Sequence, residues 1–193
     1  IAYGTTVNPT TSNNATIDGS GTGVFSSSLT SLTPATTYYV RAYATNSVGT
    51  AYGNSTSFSS LAPPTVTTSA VSSITSSGAL SGGDVLASGG AIVTARGVAY
   101  GTMNNPTTQN NSTVDGSGTG SFLSTLAGLT ALTNYKVRAY ATNSVGTSYG
   151  MQESFTTLGL PTISTNSVSS IASTAATSGG NVSSDGGSTV TAR

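Results

Sequence analysis

The sequence predicts an all-β protein made of antiparallel β-sandwiches repeated in tandem. Three observations lead there: segments in which apolar and polar residues alternate with period two, turn-forming pairs between those segments, and a unit that recurs along the chain. No window of a dozen residues keeps the apolar stripe of a helix.

The recurrence sets the frame. Ile1-Ala2-Tyr3-Gly4-Thr5 returns as Val98-Ala99-Tyr100-Gly101-Thr102, Asp18–Gly23 returns as Asp115–Gly120, and the ten residues Arg41–Thr50 return unchanged as Arg138–Thr147, all at an offset of 97. Residues 1–96 and 98–193 are identical at 59 of 96 positions. A unit of that length exceeds a solenoid repeat and matches a small independent domain. Composition breaks at Leu61-Ala62-Pro63-Pro64-Thr65 and at Leu158-Gly159-Leu160-Pro161-Thr162, which read as joints. The expected division is therefore 1–61, the C-terminal part of one unit; 62–158, a complete unit; and 159–193, the N-terminal part of the next.

The elements follow in order. Asn8-Pro9 and Asp18-Gly19 are turn pairs, and Tyr38–Thr45 alternates as a strand. In the second unit Val66-Thr67-Thr68, Ala91–Tyr100, Phe122-Leu123-Ser124 and Tyr135–Thr142 are strand candidates, because Thr and Val are stiff at χ1 and suit a pleated surface. Gly82-Gly83, Gly89-Gly90, Asn105-Pro106 and Gly179-Gly180 read as turns between them. About seven short strands per unit suit an antiparallel sandwich. Tyr3, Phe25, Leu29, Leu32, Tyr38, Val40, Tyr43 and Phe58, with their partners 97 positions on, are the expected apolar contributors.

Leu32-x-Pro34-x-Thr36-x-Tyr38-x-Val40-Arg41-Ala42-x-Ala44-x-Asn46, followed by Gly49, resembles the E–F corner and F strand of fibronectin type III domains. The second copy, from Leu129 through Thr133, Tyr135 and Val137 to Ala139, has Ala131 where the turn proline stands in the first. The resemblance implies that Tyr38 and Tyr135 are corner tyrosines whose hydroxyls bond main chain upstream, with Leu32 and Leu129 as structural partners. The whole unit is also similar to repeats of giant secreted adhesins of gliding bacteria. That likeness implies an extracellular location at a bacterial cell surface, and a spacer role.

Composition narrows the chemistry. Lys plus Arg number five and Asp plus Glu number five, so net charge is zero and only 5% of residues are charged, against roughly a quarter in an ordinary domain. Thr (36), Ser (34) and Gly (24) supply close to half of the 193 residues, so hydroxyls and amides wet the surface. Five basic residues do not make a nucleic-acid interface. No apolar run is long enough to span a bilayer, so membrane insertion is not expected. Cys and His are absent, which removes thiol chemistry and the commonest general base and metal ligand.

Four features were candidates for a site. Asp18/Asp115 in the Asp-Gly-Ser-Gly-Thr-Gly loop offers one carboxylate per copy, too few for calcium, and reads as a turn cap. Asp84, Asp115 and Glu153 are the carboxyls of the complete unit, and only Asp115 recurs, so no acid pair for glycoside hydrolysis is expected. Arg41/Arg138 and Arg96/Arg193 either make a polar contact to a glycan or a neighbouring domain, or lie as strand arginines across a tyrosine such as Tyr39 or Tyr43, the commoner case. Tyr43, Tyr52, Tyr140 and Tyr149 form either a sugar-stacking platform or half-buried strand tyrosines.

The expectation is a non-catalytic protein with no cofactor and no metal: a segment of a stalk that presents a binding tip. Its partners are then neighbouring units of the same chain and other copies in a fibre. The alternatives are a carbohydrate- or surface-binding module and an accessory domain of a secreted enzyme.

Overall fold

The computed structural model describes residues 1–193 as sixteen strands without a helix. The first six are β1 (Ala2–Gly4), β2 (Asn14–Ala15), β3 (Thr37–Arg41), β4 (Tyr43–Thr45), β5 (Thr50–Tyr52) and β6 (Thr56–Ser59). The next eight are β7 (Thr65–Thr68), β8 (Gly78–Ala87), β9 (Ala95–Gly101), β10 (Asn111–Ser112), β11 (Gly120–Ala127), β12 (Asn134–Thr142), β13 (Thr147–Tyr149) and β14 (Glu153–Thr156). The chain closes with β15 (Thr162–Thr165) and β16 (Gly180–Ser184).

Strands β7 to β14 make two facing antiparallel sheets, one in the order β11-β8-β7 and one in the order β10-β9-β12-β13, with β14 on the same edge of β12 as β13. This is the all-β, immunoglobulin-like and fibronectin type III-like sandwich expected from the sequence. Alternation along β12 explains why it closes. Val137, Ala139 and Ala141 point inward and are fully buried, while Arg138 and Tyr140 stand on the outer face. Val98, Leu126, Leu129, Tyr135, Val137 and Phe155 fill one end of the interior, and Val66, Val85, Val93, Ala139 and Ala141 fill the other. Burying each such aliphatic or aromatic side chain is favourable by about 1.5–3 kcal/mol.

Several expectations need correction. Gly82 and Gly83 are not a turn; they lie in the middle of β8, the longest strand. A Cβ on Gly82 would sit 2.2 Å from the Phe122 carbonyl oxygen, and one on Gly83 would sit 2.4 Å from that of Thr67 and 2.5 Å from the Ala139 Cβ. The backbones there approach too closely for a side chain. The same holds at Gly180, the first residue of β16, whose Cβ would lie 2.8 Å from the Ser164 oxygen. The strand expected over 91–100 starts only at Ala95. The alternating stretch 38–45 is broken at Ala42 into β3 and β4. Tyr140 is buried yet belongs to neither interior cluster, since it packs on the outer face over Gly97.

In residues 1–61, β2-β1-β3-β6 form a four-stranded sheet and β4-β5 a separate hairpin. In residues 159–193 only the pair β15-β16 is present. No helix is long and apolar enough to cross a membrane.

Candidate functional site

Four recurring polar pairs, Asp18/Asp115, Arg41/Arg138, Tyr38/Tyr135 and Tyr43/Tyr140, make their hydrogen bonds within their own unit. At the end of β10 the chain turns toward β11, and Asp115 Oδ2 accepts hydrogen bonds from Thr113 Oγ1 (2.7 Å) and from the Ser124 hydroxyl. Ser124 is fully buried on β11, so this carboxylate pins the loop to the strand. Its twin is the same: Asp18 Oδ2 accepts from Thr16 Oγ1 (2.8 Å) and from the Ser27 hydroxyl. Those two bonds, Ser27 first, hold the Asp18 carboxyl below its ordinary pKa, because they favour the ionised form. The Ser124–Asp115 contact lies within the fold and joins the loop to β11.

Arg96 closes the same loop from the other side. Its Nη1 donates to the carbonyls of Thr119 (2.9 Å) and Gly120 (3.1 Å), and the guanidinium lies 5.4 Å from the centre of the Phe122 ring. The loop is thus held by an arginine, a carboxylate and two hydroxyls. Arg193, its counterpart, is exposed at the last position of the chain.

A second array covers the outer face of β12 and β13. Arg138 Nε donates to the Gly150 carbonyl (2.9 Å), where the edge passes from β13 to β14, and its guanidinium lies 4.9 Å from the centre of the Tyr149 ring. Tyr149 and Tyr140 face each other at 6.4 Å between ring centres. The Tyr140 hydroxyl donates to Thr113 O (2.6 Å), and the Tyr149 hydroxyl accepts from Thr108 N–H (3.1 Å). Burial, reinforced by the nearby Asp115 charge and Tyr149, pushes the Tyr140 phenol above its ordinary pKa. The first copy repeats the array: Arg41 donates to Gly53 O (2.9 Å) and lies 4.8 Å from the centre of the Tyr52 ring. There the bonds from Thr11, backbone first, lower the Tyr52 phenol pKa. The expected partners of these arginines, Tyr39 and Tyr43, are replaced by Tyr52 and its twin Tyr149 on the neighbouring strand. Tyr140 is buried, Tyr43, Tyr52 and Tyr149 are half-buried, and the Tyr140 and Tyr43 hydroxyls are both engaged by main chain.

The corner residues sit as follows. The Tyr135 hydroxyl accepts from Thr130 N–H (3.1 Å) and the Tyr38 hydroxyl from Thr33 N–H (3.0 Å), five residues upstream in each copy. Leu129 is buried in the interior, whereas Leu32 is only half-buried, since no second sheet faces it. Asp84 lies on β8 and Glu153 on β14, and no three carboxylates gather in one place.

Two engaged residues were not singled out from the sequence. Asn143, within the unchanged ten-residue segment, is buried, and its Nδ2 donates to Ala62 O (2.7 Å) and Ser88 O (2.8 Å). Thr157 is also buried, with its hydroxyl on Thr130 O (2.6 Å). The repetition of Arg138–Thr147 was the available signal for Asn143, because an asparagine kept in both copies between a strand and a glycine is a turn former with a spare amide.

No family model and no curated protein matches the chain. Among solved structures it is similar to the short sensor domain of the anti-sigma factor RsgI4 of Pseudobacteroides cellulosolvens, at 20% identity over 52% of this chain and 100% of that one, TM-score 0.39. It is also similar to chicken CNTN1 domains FN1–FN3, at 19% identity over 66% of this chain and 44% of that one, TM-score 0.40. A third is titin domains A168–A170, at 22% identity over 64% and 41%, TM-score 0.36.

Proposed function

We propose that the chain is a non-catalytic stretch of a repetitive stalk on an extracellular, bacterial surface protein, with units divided at 61/62 and 158/159. The observation that carries this reading is the internal use of the polar groups that recur. Asp18/Asp115, Arg41/Arg138, Tyr38/Tyr135 and Tyr43/Tyr140 each spend their hydrogen bonds on their own unit. What recurs from unit to unit is therefore what builds a unit. A spacer needs no more than that, and a surface nearly free of charge suits a module packed end to end with copies of itself.

Rotary-shadowed electron micrographs of the native protein test it. A thin fibre with evenly spaced beads is expected; a compact particle overturns the proposal.

A further inference from the structure

The segments joining the units make contacts that neither the interior nor the outer-face arrays use. After β14, consecutive backbone N–H groups are held by different bodies. Thr157 N–H donates to Thr133 O (3.1 Å) and Leu158 N–H to Thr75 O (3.0 Å), both in the preceding sandwich. Gly159 N–H, the next in line, donates to Gly186 O (2.8 Å) in the turn after β16. No free residue separates the two holds.

The earlier joint has the same construction. Ser60 N–H donates back to Thr36 O (2.9 Å), and Ala62 N–H donates forward to Gly89 O (2.8 Å), in the turn after β8. Gly89 and Gly186 both have positive φ, 70° and 72°. A Cβ on Gly89 would lie 2.0 Å from Ala62 O, and one on Gly186 would lie 2.2 Å from Gly159 O, so turn and joint fit only where the side chain is missing. The last side chain of the unit behind rests on the following glycine: Leu61 Cδ2 is 3.0 Å from where a Cβ on Gly90 would stand, and Leu158 Cδ2 is 3.2 Å from that on Gly187.

Asn143 completes the seat. Its Oδ1 accepts from Val145 N–H (2.8 Å) and Gly146 N–H (3.1 Å), which caps its own turn, while its Nδ2 holds the Ala62 and Ser88 carbonyls. Asn46 makes the same two turn bonds, at 2.9 and 3.2 Å, with no segment seated on its Nδ2.

A size match across the second joint shows that this contact is fitted. A Cβ on Gly159 would lie 2.4 Å from Leu132 Cγ, at the corner of the unit behind. In the first joint the equivalent positions are Ala62 and Ala35: the joint residue has gained a methyl group and the corner residue has lost an isopropyl group.

We infer that the pole of each unit formed by the Gly-Gly turn after its second strand and by the asparagine of its β12–β13 turn holds that unit's own first residue, Ala62 or Gly159, so that the last leucine of the unit behind, Leu61 or Leu158, is set against the turn. It locks successive units at one angle, so the array is a stiff rod. This deepens the stalk reading, yet the two fail separately, since a fibre with loose joints is still a fibre.

The chain has no cysteine, so spin labels at Thr6→Cys and Met103→Cys, equivalent exposed positions one unit apart, report the joint cleanly. Their distance distribution is expected to be single and narrow. Asn143→Asp keeps the acceptor for Val145 and Gly146 but removes both donated bonds and turns a carboxylate toward two carbonyls, which is expected to widen the distribution about twofold. Asn46→Asp is expected to leave the width unchanged. If Asn143→Asp fails to fold, Leu61→Gly, at an exposed position, supplies the same readout. A broad distribution in the unsubstituted chain, or an unchanged width in a folded Asn143→Asp chain, overturns the lock.

Discussion

Residues 1–61 and 98–158 are two copies of one sequence that differ in what faces them. In the second copy β12 runs unbroken from Asn134 to Thr142, paired with β9 along Lys136–Thr142 and with β8 and β11 opposite. In the first, β1 reaches only Tyr39–Arg41 of β3, and the remainder separates as the β4-β5 hairpin. Residues 120–127 form β11 on β8, whereas their counterparts 23–30 form no strand. Val137 is fully buried and Val40 half-buried; Leu126 is fully buried and Leu29 half-buried.

Other features are indifferent to this change. The corner bond is 3.1 Å in one copy and 3.0 Å in the other, the Tyr140 and Tyr43 hydroxyls both donate at 2.6 Å, and both arginines reach their glycine carbonyl at 2.9 Å. Bonds that close over a few dozen residues, within one sheet and its loops, form in both copies. Strands that need a partner sheet form in one.

The largest expected consequence is an asymmetry between twin positions. Leu126→Ala removes a fully buried side chain and is expected to cost about 3 kcal/mol in denaturant unfolding of the sandwich, whereas Leu29→Ala is expected to cost under about 1 kcal/mol. Equal costs would mean that residues 1–61 possess an interior of their own, and the comparison would break.

A second pair sharpens the point at the backbone. Gly82→Ala places a methyl group 2.2 Å from the Phe122 carbonyl and is expected to lower stability by about 1–3 kcal/mol. At its twin, Gly179, the nearest atom to a Cβ is the Asn166 amide nitrogen at 3.9 Å, so Gly179→Ala is expected to change the unfolding midpoint very little. Chemical denaturation of the two variants reads the difference directly.

The smallest effect is on pH. The Tyr140 phenol pKa is raised in the folded chain by burial first and by Asp115 and Tyr149 after it. The neutral phenol is therefore the form the fold favours, and the folded value exceeds the unfolded one of about 10. Its stabilising share is complete below pH ~10 and is lost as pH rises through the folded value. Ultraviolet titration should show a step above the ordinary phenol range, and Tyr140→Phe should remove that step together with part of the alkaline loss of stability. A Tyr140 titrating at the ordinary phenol value would contradict its burial.

Much of this was legible beforehand because it is local. Tyr135–Thr142 announces a strand by alternation, Asp115-Gly116 announces a turn, and the Leu-x-x-x-Thr-x-Tyr spacing of the corner implies a hydroxyl within reach of the backbone upstream. What escaped was non-local. β8 reads Gly-Ala-Leu-Ser-Gly-Gly-Asp-Val-Leu-Ala, and its paired glycines mimic a turn. They are there because Phe122, Thr67 and Ala139, all distant in sequence, press against that backbone. Sequence neighbours suggest a ring on the same strand for Arg138, but sheet register puts Tyr149 beside it instead. The partners of the Asn143 amide, Ala62 and Ser88, lie 81 and 55 positions away, beyond any local pattern.

The sequence by itself determined the β class, the 97-residue period and the bonds made within a corner or a loop, since each rests on neighbours a few positions apart or on the repeat itself. Tertiary structure decided which glycines lie within strands, which copy of each apolar residue is buried, and how one unit is seated on the next. Those outcomes depend on where a second sheet or a following turn arrives, and identical segments diverge wherever that partner differs.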